Sequence, residues 1–370
     1  MYLKKLNIDE LEKQFSASQF QPNTTILVLI AENELFFANE IIEYFNSRNL
    51  RVLGGIFPGV IYKGKMYEKG AIITTLPVVK GPWLFDDLHK EAEVYTLLDT
   101  IETGINNTAF ILYDAFTGSI KHFLSEFFLR YGTSLTYIGG GAGTSDYVQK
   151  PTIFTNKGIY QDAAVVAVLQ GNMSVSARHG WEVFKGPYLV TDSNKNIIKS
   201  INWQNAFEVY KGALKEEGIQ IDDQSLYEVA WKHPLGIYRQ DQEFILRSPI
   251  HVNKYRELVT IGEVPDNSAV YILNANNESL LRASEMAVSE INQSVPTPGL
   301  VFNAIDYARK VNLKEAFGQE LLNTYNRIKE KNSRANSYGA LTIGEIATFS
   351  SGSVELFNKS FVIGALDERK

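Results

Sequence analysis

The stretch from Tyr137 to Tyr188 gathers residue types from which a ligand pocket can be made. Gly139-Gly140-Gly141-Ala142-Gly143 follows a short apolar strand. Backbone without side chains lets a ligand approach N–H groups, and it equally serves a tight turn that needs positive φ. His179-Gly180-Trp181 offers an imidazole, as a hydrogen-bonding group or an axial haem ligand, and an indole that could stack on a ligand. The alternatives are a hydrogen-bonded structural histidine and a core aromatic. Asp146 suits a ligand amine or the cap of its own turn. Arg247, in the alternating run Phe244–Ser248, could hold a carboxylate through two parallel hydrogen bonds, or form a surface salt bridge. Glu345, between Gly344 and Ile346, suits an ammonium group or half of a buried ion pair, and Arg309 is expected to reach the same region. Asp114 ends an apolar strand, as a site carboxylate or as an N-cap. An amino-acid ligand needs one cationic and one anionic anchor, and Arg247 with Glu345 or Asp146 would supply both.

Catalytic patterns are missing from the chain. There is no G-x-x-x-x-G-K-[ST], no G-x-G-x-x-G, no G-x-S-x-G and no H-E-x-x-H. The five histidines, at 89, 122, 179, 233 and 251, lack ligand spacing, so no metal is expected. Cysteine is absent, which removes disulfides, thiolate catalysis and cysteine-held metals. No catalytic residue is assigned.

A net charge of −6 argues against a nucleic-acid or anionic-membrane surface. No apolar run is long enough for a transmembrane helix, and the N-terminus turns polar at once. The expected location is cytoplasmic, without membrane insertion.

The elements that must position these residues alternate. Thr25–Ile30 reads as a buried strand, a helix follows near Glu34–Ser47, and Arg51–Gly59 returns as a strand with glycines. Ala109–Tyr113, a helix with Ile120, Phe123, Leu124, Phe127 and Phe128 on one face, and the strand ending in Gly139–Gly143 repeat that order. A third echo is expected from Ala269–Leu273, a helix over Glu278–Ile291 and the strands that follow. Short turns between neighbouring strands require antiparallel pairing. The fold expected is therefore α/β and two-lobed. Its sheets are mixed but mostly antiparallel, flanked by helices and built from repeated strand-helix-strand-strand units. The domains expected are an N-terminal helix and linker over 1–23, an α/β domain over 24–214 and a second over 215–370, divided at the polar run Lys215–Ser225.

Five segments, in order, resemble the FIST family of sensory domains. They are Gly139–Asp146, Gly158–Val168, Gly180-Trp181 with Gly186-Pro187 through Tyr210, Pro234–Pro249, and Gly339 with Ile343-Gly344-Glu345-Ile346. Two departures stand out. Val60 replaces the glutamate of the family's early Gly-Glu-Ile, and Phe302-Asn303-Ala304 lacks the cysteine of its Phe-x-Cys. The resemblance implies small-ligand sensing, with amino acids as proposed ligands and a separate signalling partner such as a histidine kinase. It also leaves open a haem or nitric-oxide sensor with His179 as ligand. An unrecognised hydrolase and a pure interaction protein are the remaining alternatives.

Overall fold

The computed structural model describes the chain except for residues 6, 16–19, 21–23, 100, 239–242, 350–351 and 369–370. Much of the linker expected before residue 24 lies outside the described residues. The chain forms two compact units. One is Met1–Arg178 with Ala283–Lys370, the other His179–Arg282. The polar run Lys215–Ser225 lies inside the second.

The first unit opens with β1 (Tyr2–Leu3) and α1 (Ile8–Gln14), whose first turn is capped by the side chain of Asn7. A first repeat follows: β2 (Thr25–Ala31), α2 (Ala38–Asn46), β3 (Arg51–Phe57), the hairpin β4 (Gly59–Tyr62) and β5 (Lys65–Tyr67), and β6 (Ala71–Leu76). After β7 (Val78–Phe85) and α3 (Glu91–Leu98) comes a second repeat. It contains β8 (Asn107–Asp114), α4 (Ile120–Tyr131), β9 (Leu135–Ala142), the hairpin β10 (Ile153–Thr155) and β11 (Gly158–Tyr160), and β12 (Ala164–Leu169). β13 (Ser174–Arg178) closes this part.

The second unit is built on antiparallel strands. These are β14 (Glu182–Asn194), β15 (Ile197–Ile201), β16 (Gln204–Asn205), β17 (Leu235–Ile237), β18 (Ile245–Arg247), β19 (Pro249–Val252), β20 (Leu258–Thr260) and β21 (Ala269–Asn274). The helices α5 (Ala206–Lys215) and α6 (Leu226–Lys232) belong to it. The long β14 pairs with β21 through Leu189 and with β15 from Val190 onward, which joins the strands into one sheet. The chain returns to the first unit within α7 (Asn277–Ser294).

The third repeat is β22 (Pro298–Asp306), α8 (Tyr307–Leu313), α9 (Ala316–Lys331), β23 (Asn336–Thr342), the hairpin β24 (Glu345–Thr348) and β25 (Val354–Phe357), and β26 (Phe361–Asp367). The expected third echo therefore starts one strand and one helix too early. Ala269–Asn274 pairs with β14 and β17 in the second unit, so it opens no repeat of the first.

In each repeat the first two strands pair in parallel and the last returns antiparallel to the first. The hairpin does not stay with its own sheet. β4 pairs with β23, β10 with β3, and β24 with β9. Each repeat thus lends a hairpin to another in a closed cycle of three. The inner faces of the three sheets bury one core, with Leu27, Leu29 and Leu53 from the first, Phe110, Leu112 and Ile138 from the second, and Phe302, Ala304 and Tyr338 from the third. Helices cover the outer faces: Ile41 and Phe45 of α2 pack on Val28, and Phe123 and Phe127 of α4 on Ile111.

The register explains the glycines. Gly54, Gly139 and Gly339 occupy the same position, each opposite a residue of its parallel partner strand. A Cβ there would lie 2.2 Å from the Val28 carbonyl oxygen, 1.7 Å from that of Ile111 and 2.0 Å from that of Asn303. Gly139, Gly140 and Gly141 therefore lie in strand rather than in a tight turn, and none of them has positive φ.

Candidate functional site

The same registers make three sets of equivalent positions at the end of the first unit where the parallel strands finish. The last residues of the first strands are Ala31, Asp114 and Asp306, and those of the second strands are Phe57, Ala142 and Thr342. The exported hairpins contribute Val60, Ile153 and Glu345, which pair with Ala340, Gly55 and Gly140. Val60 and Ile153 point into the common core, so the equivalent Glu345 brings a carboxyl to the corresponding point.

Asp114 and Asp306 share a local design. Asp114 accepts the N–H of Phe116 at 3.0 Å and of Asp162 at 2.6 Å, and Gln149 Nε2 donates to it at 2.8 Å. Asp306 accepts the N–H of Ala308 and of Lys359, both at 2.7 Å. Each aspartate ties its own strand end to the start of the returning strand, and Asp306 also caps α8.

Around Asp306 the third repeat adds groups that the other two lack. Glu345 is fully buried. Thr342 Oγ1 donates to its Oε1 at 2.7 Å, and the Ser360 N–H to its Oε2 at 3.3 Å. Burial raises the Glu345 carboxyl well above the usual carboxylate range, and the nearby charge of Asp306 pushes it the same way. Burial also raises Asp306, against the N–H groups that stabilise its anion. Lys359 is buried as well, which lowers its ammonium to about 7 although Asp306 opposes the fall. Burial thus disfavours the charged forms of both Glu345 and Lys359, and each feels the charge of Asp306, a set able to exchange protons with, or pair with, an incoming charged group.

Arg309 lies next to this cluster. Its guanidinium meets Glu320 at 2.5 Å in a pair that is 1% and 0% exposed, and it lies over the Phe361 ring at 5.8 Å. Its positive charge acts on Glu345 in the direction that favours ionisation. Arg309, linked only loosely to Glu345 from sequence, thus lies within reach for its charge to act on that carboxyl.

Asp146 stands apart on the loop between β9 and β10. It accepts from Thr144 Oγ1 at 2.6 Å and from the Val148 N–H at 3.1 Å, and it pairs with Lys150. Those hydrogen bonds, Lys150 first, lower it to about 2.

His179, Trp181 and Arg247 belong to the second unit. The Trp181 N–H donates to His179 Nδ1 at 2.8 Å, which leaves the ring proton on Nε2, 2.9 Å from Glu243. The ring is buried and its acceptor nitrogen is used, so His179 has no lone pair to offer a haem iron; it does not fit the axial role. Trp181 is 4% exposed, among core residues. Arg247 is buried, and donates from Nε to the Glu263 carbonyl at 3.0 Å and from Nη1 to the Leu246 carbonyl at 2.9 Å.

Asp306, Thr342, Lys359 and Ser360 were not singled out from sequence. A signal existed: Phe302-Asn303-Ala304-Ile305-Asp306 follows the same pattern as Phe110-Ile111-Leu112-Tyr113-Asp114. Among the described residues no group of three or more His, Asp or Glu is arranged to hold a metal ion. No helix described is long and apolar enough to cross a membrane.

Residues 17–204 match the FIST N domain and residues 206–348 the FIST C domain. No curated protein matches the chain.

Proposed function

The chain belongs to the FIST family, and on that premise we propose that it is a small-ligand sensor whose recognition group is the buried carboxyl of Glu345. FIST domains are generally sensory domains associated with signal transduction. One observation carries the assignment of the site. Three repeats build the same strand ends, and at the Glu345 position two of them are satisfied with Val60 and Ile153. The fold itself therefore does not need a carboxyl there. Burying one is costly, and strongly perturbed buried acids cluster at functional sites.

The ligand class that suits the site carries an ammonium group, as an amino acid or related metabolite does. Its charge would let Glu345 ionise, with Thr342 Oγ1 and the Ser360 N–H already donating to the carboxylate oxygens. Asp306 supplies further negative potential. Signalling would pass to a separate protein such as a histidine kinase, in the cytoplasm. The reading is of a binding protein rather than an enzyme.

Thermal denaturation against a panel of amino acids and simple amines tests this. A ligand at 100 times its Kd stabilises the native state by about 2.7 kcal/mol, which is readily seen. The expected result is a shift with at least one amine-bearing compound that disappears in Glu345→Gln. No shift with any of them at millimolar concentration would refute the ammonium reading.

A further inference from the structure

Glu345 is sealed from solvent, so a ligand that reaches it must have a way in. One difference between the three repeats lies in the connection that leads into the exported hairpin, and in the second repeat that connection leaves β9, the strand paired with Glu345. The connection from the second strand to the exported hairpin is Pro58 alone in the first repeat and Ile343-Gly344 in the third. In the second it is residues 143–152, ten residues between Ala142 and Ile153.

The base of this loop is clamped and its tip is tied down separately. At the base, the Gly143 N–H donates to the Ile56 carbonyl at 2.9 Å, and the Ile56 N–H donates to the Thr152 carbonyl at 2.9 Å. Between these points the loop touches the strand ends of all three repeats. Ser145 donates its N–H at 2.6 Å and its hydroxyl at 2.7 Å to the two oxygens of Glu32, just after β2. Gln149 reaches Asp114, the last residue of β8. Tyr147 packs edge-on against Phe116 at 6.2 Å and against Tyr307 at 6.4 Å, and Tyr307 follows Asp306 directly. Asp146, bonded to Thr144, Val148 and Lys150, stiffens the tip into one piece.

Little apolar burial holds that tip. Val148 is 54% exposed, and Tyr147 has a φ of 58°, a conformation unfavourable for a residue with a side chain. A segment with a fixed base, a stiff tip and few buried contacts opens locally at low cost compared with unfolding the core.

Resting on the reading of Glu345 as the recognition group, we infer that residues 143–150 are a lid latched by Ser145 on Glu32, and that access to Glu345 requires the latch to open. Glu32 is thereby a gating residue outside the recognition site. Breaking the latch speeds entry without changing the groups that would meet a ligand.

The test needs no known ligand. The probes are a water-soluble carbodiimide with methylamine, which converts reachable protonated carboxyls to methylamides, and deuterium exchange. Wild-type protein should label slowly at Glu345. Glu32→Ala should raise that rate at least ten-fold and raise deuterium uptake over 143–150, with uptake in β22 and β23 unchanged. Ser145→Ala, which keeps Glu32 and loses one of the two bonds, should give a smaller rise in both and stands in if Glu32→Ala fails to fold. Three outcomes overturn the inference: fast labelling of Glu345 in wild type, faster exchange over 143–150 without faster labelling, or faster labelling only alongside faster exchange in β22 and β23. Labelling and exchange report on the lid whether or not any amine binds, so failure of the ligand panel and failure of the gate are read separately.

Discussion

Glu345 stands opposite Gly140 in the pairing of β24 with β9, and the Cβ that Gly140 lacks would lie 2.4 Å from Cγ2 of Thr342, whose hydroxyl holds the Glu345 carboxyl. The glycine therefore makes room for the group that positions the acid. Gly140→Ala should push Thr342 aside. The expected loss is about 1–3 kcal/mol, the usual cost of one methyl group too many in a packed core. Gly139→Ala should be worse, because its Cβ would meet the Ile111 backbone oxygen at 1.7 Å, and backbone in mid-sheet cannot step away. Urea denaturation of the two variants checks the order. Equal and small losses would mean the sheets separate more easily than their register implies.

The acid itself should leave a signature in the pH dependence of stability. Glu345 is raised in the folded state above its unfolded value of 4.5. Its contribution is therefore fully present below pH 4.5 and is lost as pH rises toward the folded value, because the unfolded chain releases the proton first. Each unit of pH in that window removes about 1.4 kcal/mol relative to acid. Glu345→Gln cannot titrate and should be more stable relative to wild type at pH 7 than at pH 4.5. Lys359 works in the other window. Lowered from 10.5 to about 7, it contributes above 10.5 and loses that contribution as pH falls to about 7. Lys359→Met should flatten the alkaline side alone. Denaturation midpoints between pH 4.5 and 10.5 for wild type and the two variants separate the groups. A Glu345→Gln profile parallel to wild type would show that the carboxyl ionises normally.

Arg309 and Glu320 form a pair with almost no exposure. Removing one partner of such a pair leaves an uncompensated buried charge, at about 3–5 kcal/mol. Arg309→Met and Glu320→Leu should each lose an amount in that range, while the double variant should recover most of it. A double-mutant cycle measures the coupling. Additive losses would show that neither charge depends on the other. Glu345 gives a second readout: without Arg309 its carboxyl should retain its proton to still higher pH, since that cation is one of the groups favouring ionisation.

Local pattern carried much of this architecture. Thr25–Ala31 and Ala164–Leu169 are continuous apolar runs because both faces are covered, and α4 shows its apolar stripe because one face lies on Ile111. Pairing is where periodicity falls silent. Ala269–Asn274 reads like the opening strand of a repeat, and nothing within six residues says that its partner is β14. The exchange of hairpins is equally hidden, since Glu345 lies far along the chain from Gly140. The site shows the same limit. Glu345 is visible as an acid among apolar neighbours, but Lys359 looks like any lysine in a turn until the fold buries it. Gly139–Gly141 was legible as a place of close approach; what approaches is protein, Ile111, Thr342 and Ile343.

His179 allows a last test, because its two nitrogens already have assigned tasks. Nδ1 accepts the Trp181 N–H and Nε2 faces Glu243 at 2.9 Å. Haem ligation would require the ring to give up one of these and turn out of a buried position. Haem titrated into the protein should give no Soret band that depends on His179. His179→Ala should instead cost stability, about 1–3 kcal/mol for leaving a buried N–H without its acceptor. Absorption spectra and urea denaturation of wild type and His179→Ala are read together. A Soret band lost in the variant, with stability unchanged, would show that the imidazole is free to bind iron and that the bonds to Trp181 and Glu243 contribute little.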